Sequence, residues 1–111
     1  MKTFSKVAVA AIIGLGLLST TVHADAGKGQ KIYAKKLKSV CEKSGAVFAA
    51  SHTQMEWEMA NSSGELGATF KAECPAGSDL FDSAKFQKKM QSHLYDFVME
   101  YASDSGNVPS C

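Results

Sequence analysis

Apolar residues recur at helical spacing through most of the chain beyond its first two dozen residues. A helix over about residues 26–43 carries four of them on one face, at i, i+4, i+7 and i+8: Tyr33, Leu37, Val40 and Cys41. A second and longer apolar stripe follows the same period over about residues 83–102: Phe86, Met90, Leu94, Phe97, Val98 and Tyr101. The two ends of the domain are therefore predicted to be helices, each with one buried face.

Two capping signals divide the middle of the chain. In each, a hydroxyl residue is followed three positions later by glutamate: Thr53 with Glu56, and Ser62 with Glu65. The first predicts a helix over about 54–61, and the second predicts a helix that ends before Pro75. Residues 46–50 are expected to be a connector, and no β-type alternation is present. The predicted fold class is all-α.

The first 24 residues have the pattern of a secretory signal peptide. Two lysines precede an apolar run over residues 7–18, and small residues then lead to Ala24. Cleavage is expected after Ala24 or Ala26, which leaves residues 25–111 as a single helical domain. We therefore expect a periplasmic or secreted protein that has no membrane span after cleavage.

Charge is distributed unevenly over the expected mature chain. Residues 25–43 carry six lysines and two acidic side chains, whereas residues 44–84 carry one lysine and six acidic side chains. The chain has no arginine, and removing residues 1–24 leaves 10 basic against 11 acidic side chains, which disfavours nucleic-acid binding. The asymmetry fits either two solvated faces of opposite charge or a basic surface that steers a protein partner. The lysines of that basic surface are Lys28, Lys31, Lys35, Lys36 and Lys38.

Two stretches give the chain a family resemblance. The segment GQKIYAKK at 29–36 is similar to the stretch that precedes haem attachment in class I cytochromes c, and LYDFVMEYA at 94–102 is similar to their closing helix. Together with the predicted helices that contain them, over about residues 26–43 and 83–102, the matches cover about half of the expected mature chain. The resemblance implies a small cytochrome c-like domain in which the first and last helices cross at Gly29 and Tyr33.

The sequence departs from that family at the haem-attachment motif. Counted from Tyr33, the two attachment cysteines and the ligand histidine are replaced by Leu37, Val40 and Cys41. Leucine and valine cannot form thioether bonds, so covalent haem is excluded at this site. Without haem, the core must be filled by side chains, for which the expected residues are Val47, Phe48, Trp57, Leu66, Phe70 and Phe81.

Noncovalent haem remains as an alternative cofactor prediction. In that case Cys41 and His52 would be the candidate ligands, with His93, Met55, Met59 and Met90 also available. Each has a simpler interpretation: Cys41 as a small buried residue, His52 as a helix-start residue, His93 as a boundary residue, and the methionines as core filling. No ligand spacing typical of a metal site occurs, and no catalytic site is predicted.

Three cysteines remain in the expected mature chain, so one of them lacks a partner within it. Cys111 lies on a polar tail that needs an anchor, and Cys74 precedes a turn at Pro75. The favoured disulfide is Cys74–Cys111, with Cys41 free, and the alternative is Cys41–Cys74.

The predicted function follows from these features. We expect an exported cytochrome c-like protein without covalent haem, which serves as a partner-binding or accessory module of an electron-transfer system. The protein partner would be a periplasmic redox protein, and the alternative is an electron carrier that holds haem noncovalently.

Overall fold

The computed structural model describes residues 26–109, and this part of the chain contains helices and no β-strand. The α-helices are α1 (Ala26–Ile32), α2 (Lys38–Cys41), α3 (Gly45–Ala49), α4 (Gln54–Ser62), α5 (Leu66–Glu73), α6 (Ser78–Asp82), α7 (Ala84–Lys89) and α8 (Gln91–Glu100). A π-helical turn (Tyr33–Leu37) joins α1 to α2, and a 3-10 turn (Pro75–Gly77) precedes α6. The prediction of an all-α domain with a disulfide is confirmed. The predicted signal peptide and Cys111 lie outside the described residues.

The first and last helices cross at Gly29, where their backbones come close together. A Cβ atom at Gly29 would lie 2.0 Å from the carbonyl oxygen of His93 and 2.7 Å from Cβ of Phe97. One turn further along, the ring of Tyr33 stacks on that of Phe97, with the centroids 6.0 Å apart. The expected crossing at Gly29 and Tyr33 is therefore present, and it requires glycine because a side chain would push α1 away from α8.

The π turn changes the face that each residue of the first helix presents. The N–H of Lys38 donates to the carbonyl of Tyr33, five residues earlier, which is the π-helical hydrogen bond. The wider turn takes up an additional residue, and Tyr33 and Leu37, four positions apart, face the same side of the helix. Both are fully buried. Val40, at i+7, is rotated outwards and is 42% exposed, so its predicted place on the buried face is wrong.

Aromatic rings fill the centre of the domain. Phe70 contacts four of them, with centroid separations of 5.5 Å to Trp57, 5.5 Å to Phe81, 5.8 Å to Phe48 and 6.4 Å to Phe86. All five rings are essentially inaccessible to solvent. Trp57 keeps its polar atom satisfied, because its Nε1 donates to the carbonyl of Ala49 at 2.9 Å. The core is thus a continuous aromatic cluster.

The expected core-filling residues are buried with one exception. Phe48, Trp57, Leu66, Phe70 and Phe81 are all in the core, whereas Val47 is 57% exposed. The expected connector is the short helix α3, capped by the Ser44 hydroxyl, which accepts a hydrogen bond from the N–H of Val47. Successive helical residues point in different directions, so α3 buries Phe48 and turns Val47 to solvent.

One of the two predicted capping boxes is formed. At the start of α4 the Thr53 hydroxyl accepts from the N–H of Glu56, and the Thr53 N–H donates to the Glu56 carboxylate. The predicted box at Ser62 is wrong because α4 continues through that residue, whose hydroxyl donates to the carbonyl of Glu58. Helix α5 begins only at Leu66, beyond a turn in which Gly64 has φ +81°.

The predicted long helix over 83–102 is divided at Met90. There the backbone turns to φ −123° and ψ −30°, which ends α7 and precedes α8. The N–H of Met90 still donates to the carbonyl of Phe86, and the N–H of Leu94 to the carbonyl of Met90. The division is therefore a bend, and the stripe residues Phe86, Met90, Leu94, Phe97 and Val98 remain buried along it.

Candidate functional site

The three positions that would carry haem chemistry lie in different environments. Leu37 is fully buried in the core and Val40 faces solvent. Cys41 is bonded to Cys74, with an S–S distance of 2.00 Å and a Cα–Cα distance of 5.2 Å. None of the three side chains is available to attach or ligate haem, since a disulfide sulfur has no thiolate to offer iron.

The pairing of Cys41 with Cys74 corrects the favoured assignment. Cys74–Cys111 was expected, with Cys41 free, whereas the structure forms the alternative bond across a sequence separation of 33 residues. The physical reason is the π turn, which keeps Cys41 in line with Tyr33 and Leu37 and directs it towards the end of α5.

His52 is held by two carboxylates. Its Nε2 lies 3.0 Å from Oε2 of Glu73, and its Nδ1 lies 3.4 Å from Oε1 of Glu56. The edge of the ring also meets Trp57, with centroids 4.8 Å apart, and the carbonyl of His52 accepts from the N–H of Ser103. His52 thereby connects α4, α5 and the segment after α8, and both of its ring nitrogens are engaged within the fold.

Glu73 connects this histidine to the end of the first helix. Its carboxylate faces His52, while its backbone carbonyl accepts a 2.8 Å hydrogen bond from Nζ of Lys43. The carbonyl of Lys43 in turn accepts from the hydroxyl of Tyr33 at 2.7 Å. Together with the neighbouring disulfide, these bonds fasten residues 41–43 against the end of α5.

The remaining sulfur and imidazole candidates do not form a common site. Met55 and Met59 are 67% and 62% exposed, so the expectation that they fill the core is wrong. Trp57, between them on α4, is the buried residue of that helix. Met90 is in the core and His93 lies half-buried at the crossing with Gly29. Within residues 26–109 no group of three or more metal-ligating side chains is positioned to hold a metal ion.

Two ionisable groups beside α4 have shifted pKa values. The backbone N–H of Thr53 stabilises the Glu56 carboxylate and lowers its pKa, with smaller contributions from His52. Partial burial raises the pKa of Tyr95 on α8, and the charge of Glu58 raises it further. Glu56 belongs to the helix cap and Tyr95 to the contact between α4 and α8, so both shifts accompany structural roles.

The five predicted partner-binding lysines are all exposed, and they follow one another along α1, the π turn and the start of α2. We call Lys28, Lys31, Lys35, Lys36 and Lys38 the lysine surface. Within the part of the chain that the structure describes, none of them forms an ion pair, whereas Lys71 pairs with Asp82 at 2.9 Å. Their ammonium groups are therefore open to an anionic surface outside the molecule.

A shallow cleft lies beside the π turn at one end of the lysine surface. It has a volume of about 530 Å³ and is lined mostly by apolar atoms of Ala34, Lys38, Ser39, Glu42, Lys43 and Ser44. Glu42 ends α2 in the left-handed conformation, with φ +57°, and this turns the chain towards α3. The sequence pattern did not reveal the cleft, because its shape depends on the π turn and on this reversal.

Comparisons with known proteins found no match for this chain. The chain matches no protein-family model, no curated protein and no solved structure. None of the helices between residues 26 and 109 has the length and apolar character needed to cross a membrane.

Proposed function

We propose that this protein is an exported, haem-free module of an electron-transfer system that binds a redox protein through its lysine surface and has no catalytic role of its own. One observation carries the proposal. The lysine surface has no ion pair within residues 26–109, while the positions that correspond to a haem-attachment motif hold Leu37, Val40 and a disulfide-bonded Cys41. The cytochrome c-like scaffold would thus be retained for docking.

The arrangement of the core supports a haem-free protein. Aromatic side chains occupy the centre of the domain, with ring centroids separated by 4.9 Å between Tyr33 and Phe48 and by 5.5 Å between Phe70 and Trp57. The candidate ligands for noncovalent haem are also engaged, Cys41 in the disulfide and His52 between two glutamates. No observation favours the haem-carrier alternative over this proposal.

The charge distribution supports a protein partner with an acidic docking face. Positive charge is concentrated on the first helix, and the acidic side chains lie mostly between residues 44 and 84. A lysine surface accelerates encounter with an oppositely charged face and fixes its orientation, while adding little to affinity at high salt. A transient, salt-sensitive complex of this kind suits electron-transfer partners.

Photo-cross-linking in cells that naturally make the protein tests this proposal. A photoreactive benzophenone amino acid is substituted for Lys35 on the lysine surface or, as the matched control, for Lys88 on α7, which is also exposed. We expect a discrete adduct with a redox protein from position 35 and none from position 88. The adduct should disappear in a background that carries K31E and K38E.

Two outcomes would contradict the proposal. Equal adducts from both positions would indicate unspecific contact, and an adduct that survives the two charge reversals would show that the lysines do not direct binding. Either result would mean that these lysines only keep the surface of the domain solvated.

A further inference from the structure

We propose that the cleft beside the π turn is the recognition pocket of the lysine surface and accepts one apolar side chain of an acidic segment on the protein partner. This inference rests on the proposed docking function and specifies the chemistry of the partner. Charge alone would make the lysine surface attractive to any polyanion, whereas the cleft adds a requirement for shape.

The π turn forms one wall of this cleft. In an α-helix, the residue four positions after Ala34 lies on the same face as Ala34, and the residue five positions after it lies on another face. Here Lys38 and Ser39 both line the cleft together with Ala34. The widened turn makes this possible, and single π turns within α-helices are frequent at functional sites. The cleft is therefore a product of the same irregularity that turns Val40 to solvent.

The opposite wall is fixed in position. Lys43 lines the cleft, but its ammonium group is bound to the carbonyl of Glu73, and its own carbonyl accepts from Tyr33. Its aliphatic stem is thereby left as an apolar surface. The disulfide at Cys41 holds the same stretch of chain, so the pocket is largely formed before a partner arrives.

The charges around the cleft define the rest of the ligand. Lys38 lies at its edge and has no ion pair within the described residues, and Lys31 and Lys35 continue the positive row along the helix. Glu42 is the acidic residue of the lining. The complementary segment carries carboxylates that meet the lysines and an apolar side chain that enters beside Ala34.

Two synthetic peptides separate the cleft from the charge. One is a short run of glutamates with a central leucine, and the other carries glutamine at the centre, so both have the same charge. Binding is followed by amide chemical shifts of the ¹⁵N-labelled protein. We expect the leucine peptide to bind roughly tenfold more tightly, as burial of most of one leucine side chain would give. The largest shifts should fall at Ala34, Ser39 and Ser44.

Two variants and their controls test the assignment to the cleft. Ala34→Phe fills the cleft and should remove the preference for leucine, whereas Ala84→Phe, at an exposed position on α7, should leave it unchanged. The double reversal K35E/K38E should weaken both peptides together, and K85E/K88E on α7 should weaken neither. All four changes are at exposed positions, so the fold is expected to tolerate them.

The outcomes distinguish the recognition pocket from the docking function on which it rests. If the two peptides bind with equal affinity and K35E/K38E weakens the binding of both, the assignment of the cleft as a pocket is wrong and the lysine surface recognises charge alone. Peptide binding that K35E/K38E does not weaken would overturn both. Tight binding to phosphatidylglycerol vesicles that displaces the leucine peptide would replace the protein partner with a lipid surface.

Discussion

The two faces of the first helix are shaped by different constraints. The inner face packs Gly29 against α8 and buries Tyr33 and Leu37 completely. The outer face carries the five residues of the lysine surface, without an ion pair among the described residues. Packing accounts for the inner face in full, whereas nothing within the described fold requires the charges outside. The contrast indicates that the inner face maintains the domain, whereas the outer face is free of that constraint and is the surface to which the proposed docking function is assigned.

The largest effect is expected where the inner face meets α8. Gly29→Val places a side chain against the backbone of His93, which no rotamer can avoid, so the helices must separate. We expect a loss of roughly 4 kcal/mol or more in the free energy of unfolding, measured by urea denaturation. The control is Gly27→Ala in the same helix, where a Cβ meets nothing within 4 Å; it should gain up to about 1 kcal/mol. Equal effects at the two glycines would contradict the crossing.

The next effect concerns the disulfide that fastens the end of this helix. Replacing Cys41 and Cys74 together with serine should lower the free energy of unfolding by about 3.5 kcal/mol, because the unfolded chain regains the freedom of the closed loop. Cys111→Ser is the control and should leave the urea midpoint unchanged. A loss for Cys111→Ser as large as that of the double variant would show that Cys74 bonds to Cys111 after all.

A smaller effect separates two positions that the sequence pattern placed on one face. Leu37→Ala should cost about 3 kcal/mol, since it leaves a cavity in the aromatic core, whereas Val40→Ala should change stability by less than about 0.5 kcal/mol. Urea denaturation of both variants measures this difference. Comparable losses would mean that the helix is α-helical throughout and that the π turn is absent.

The smallest effect on stability is expected at the lysine surface itself. Reversing Lys35 and Lys38 to glutamate should shift the free energy of unfolding by less than about 0.5 kcal/mol, because neither side chain forms an ion pair with any of the described residues. The same variant is the one expected to lose peptide binding. A substantial loss of stability would show that these lysines support the fold, and the contrast between the two faces would fail.

The crossing at Gly29 was expected from the family resemblance. Local patterns in the sequence were sufficient for the helical class, the capping box at Thr53 and the buried stripe of the last two helices. Each depends on spacing within one or two helical turns, where periodicity and capping chemistry are direct guides. Phe48, Trp57 and Phe70 were expected in the core for a different reason, because a domain without haem must fill its centre with side chains.

The errors have a common origin in the irregular parts of the chain. A single π turn adds one residue to the first helix, which turned Val40 outwards and brought Cys41 to Cys74 instead of leaving it free. The short helix α3 exposes Val47, and α4 buries Trp57 in place of its two methionines. In each case tertiary packing selected between local alternatives that the sequence pattern could not rank, and the cleft beside the π turn is a product of the same selection.

The absorption spectrum of the protein purified from haem-sufficient cells tests whether the scaffold holds side chains where a cytochrome holds its cofactor. We expect only the near-ultraviolet band of Trp57 and the tyrosines, both before and after addition of haemin and gel filtration. A Soret band that stays with the protein through gel filtration would contradict it and would establish a haem carrier.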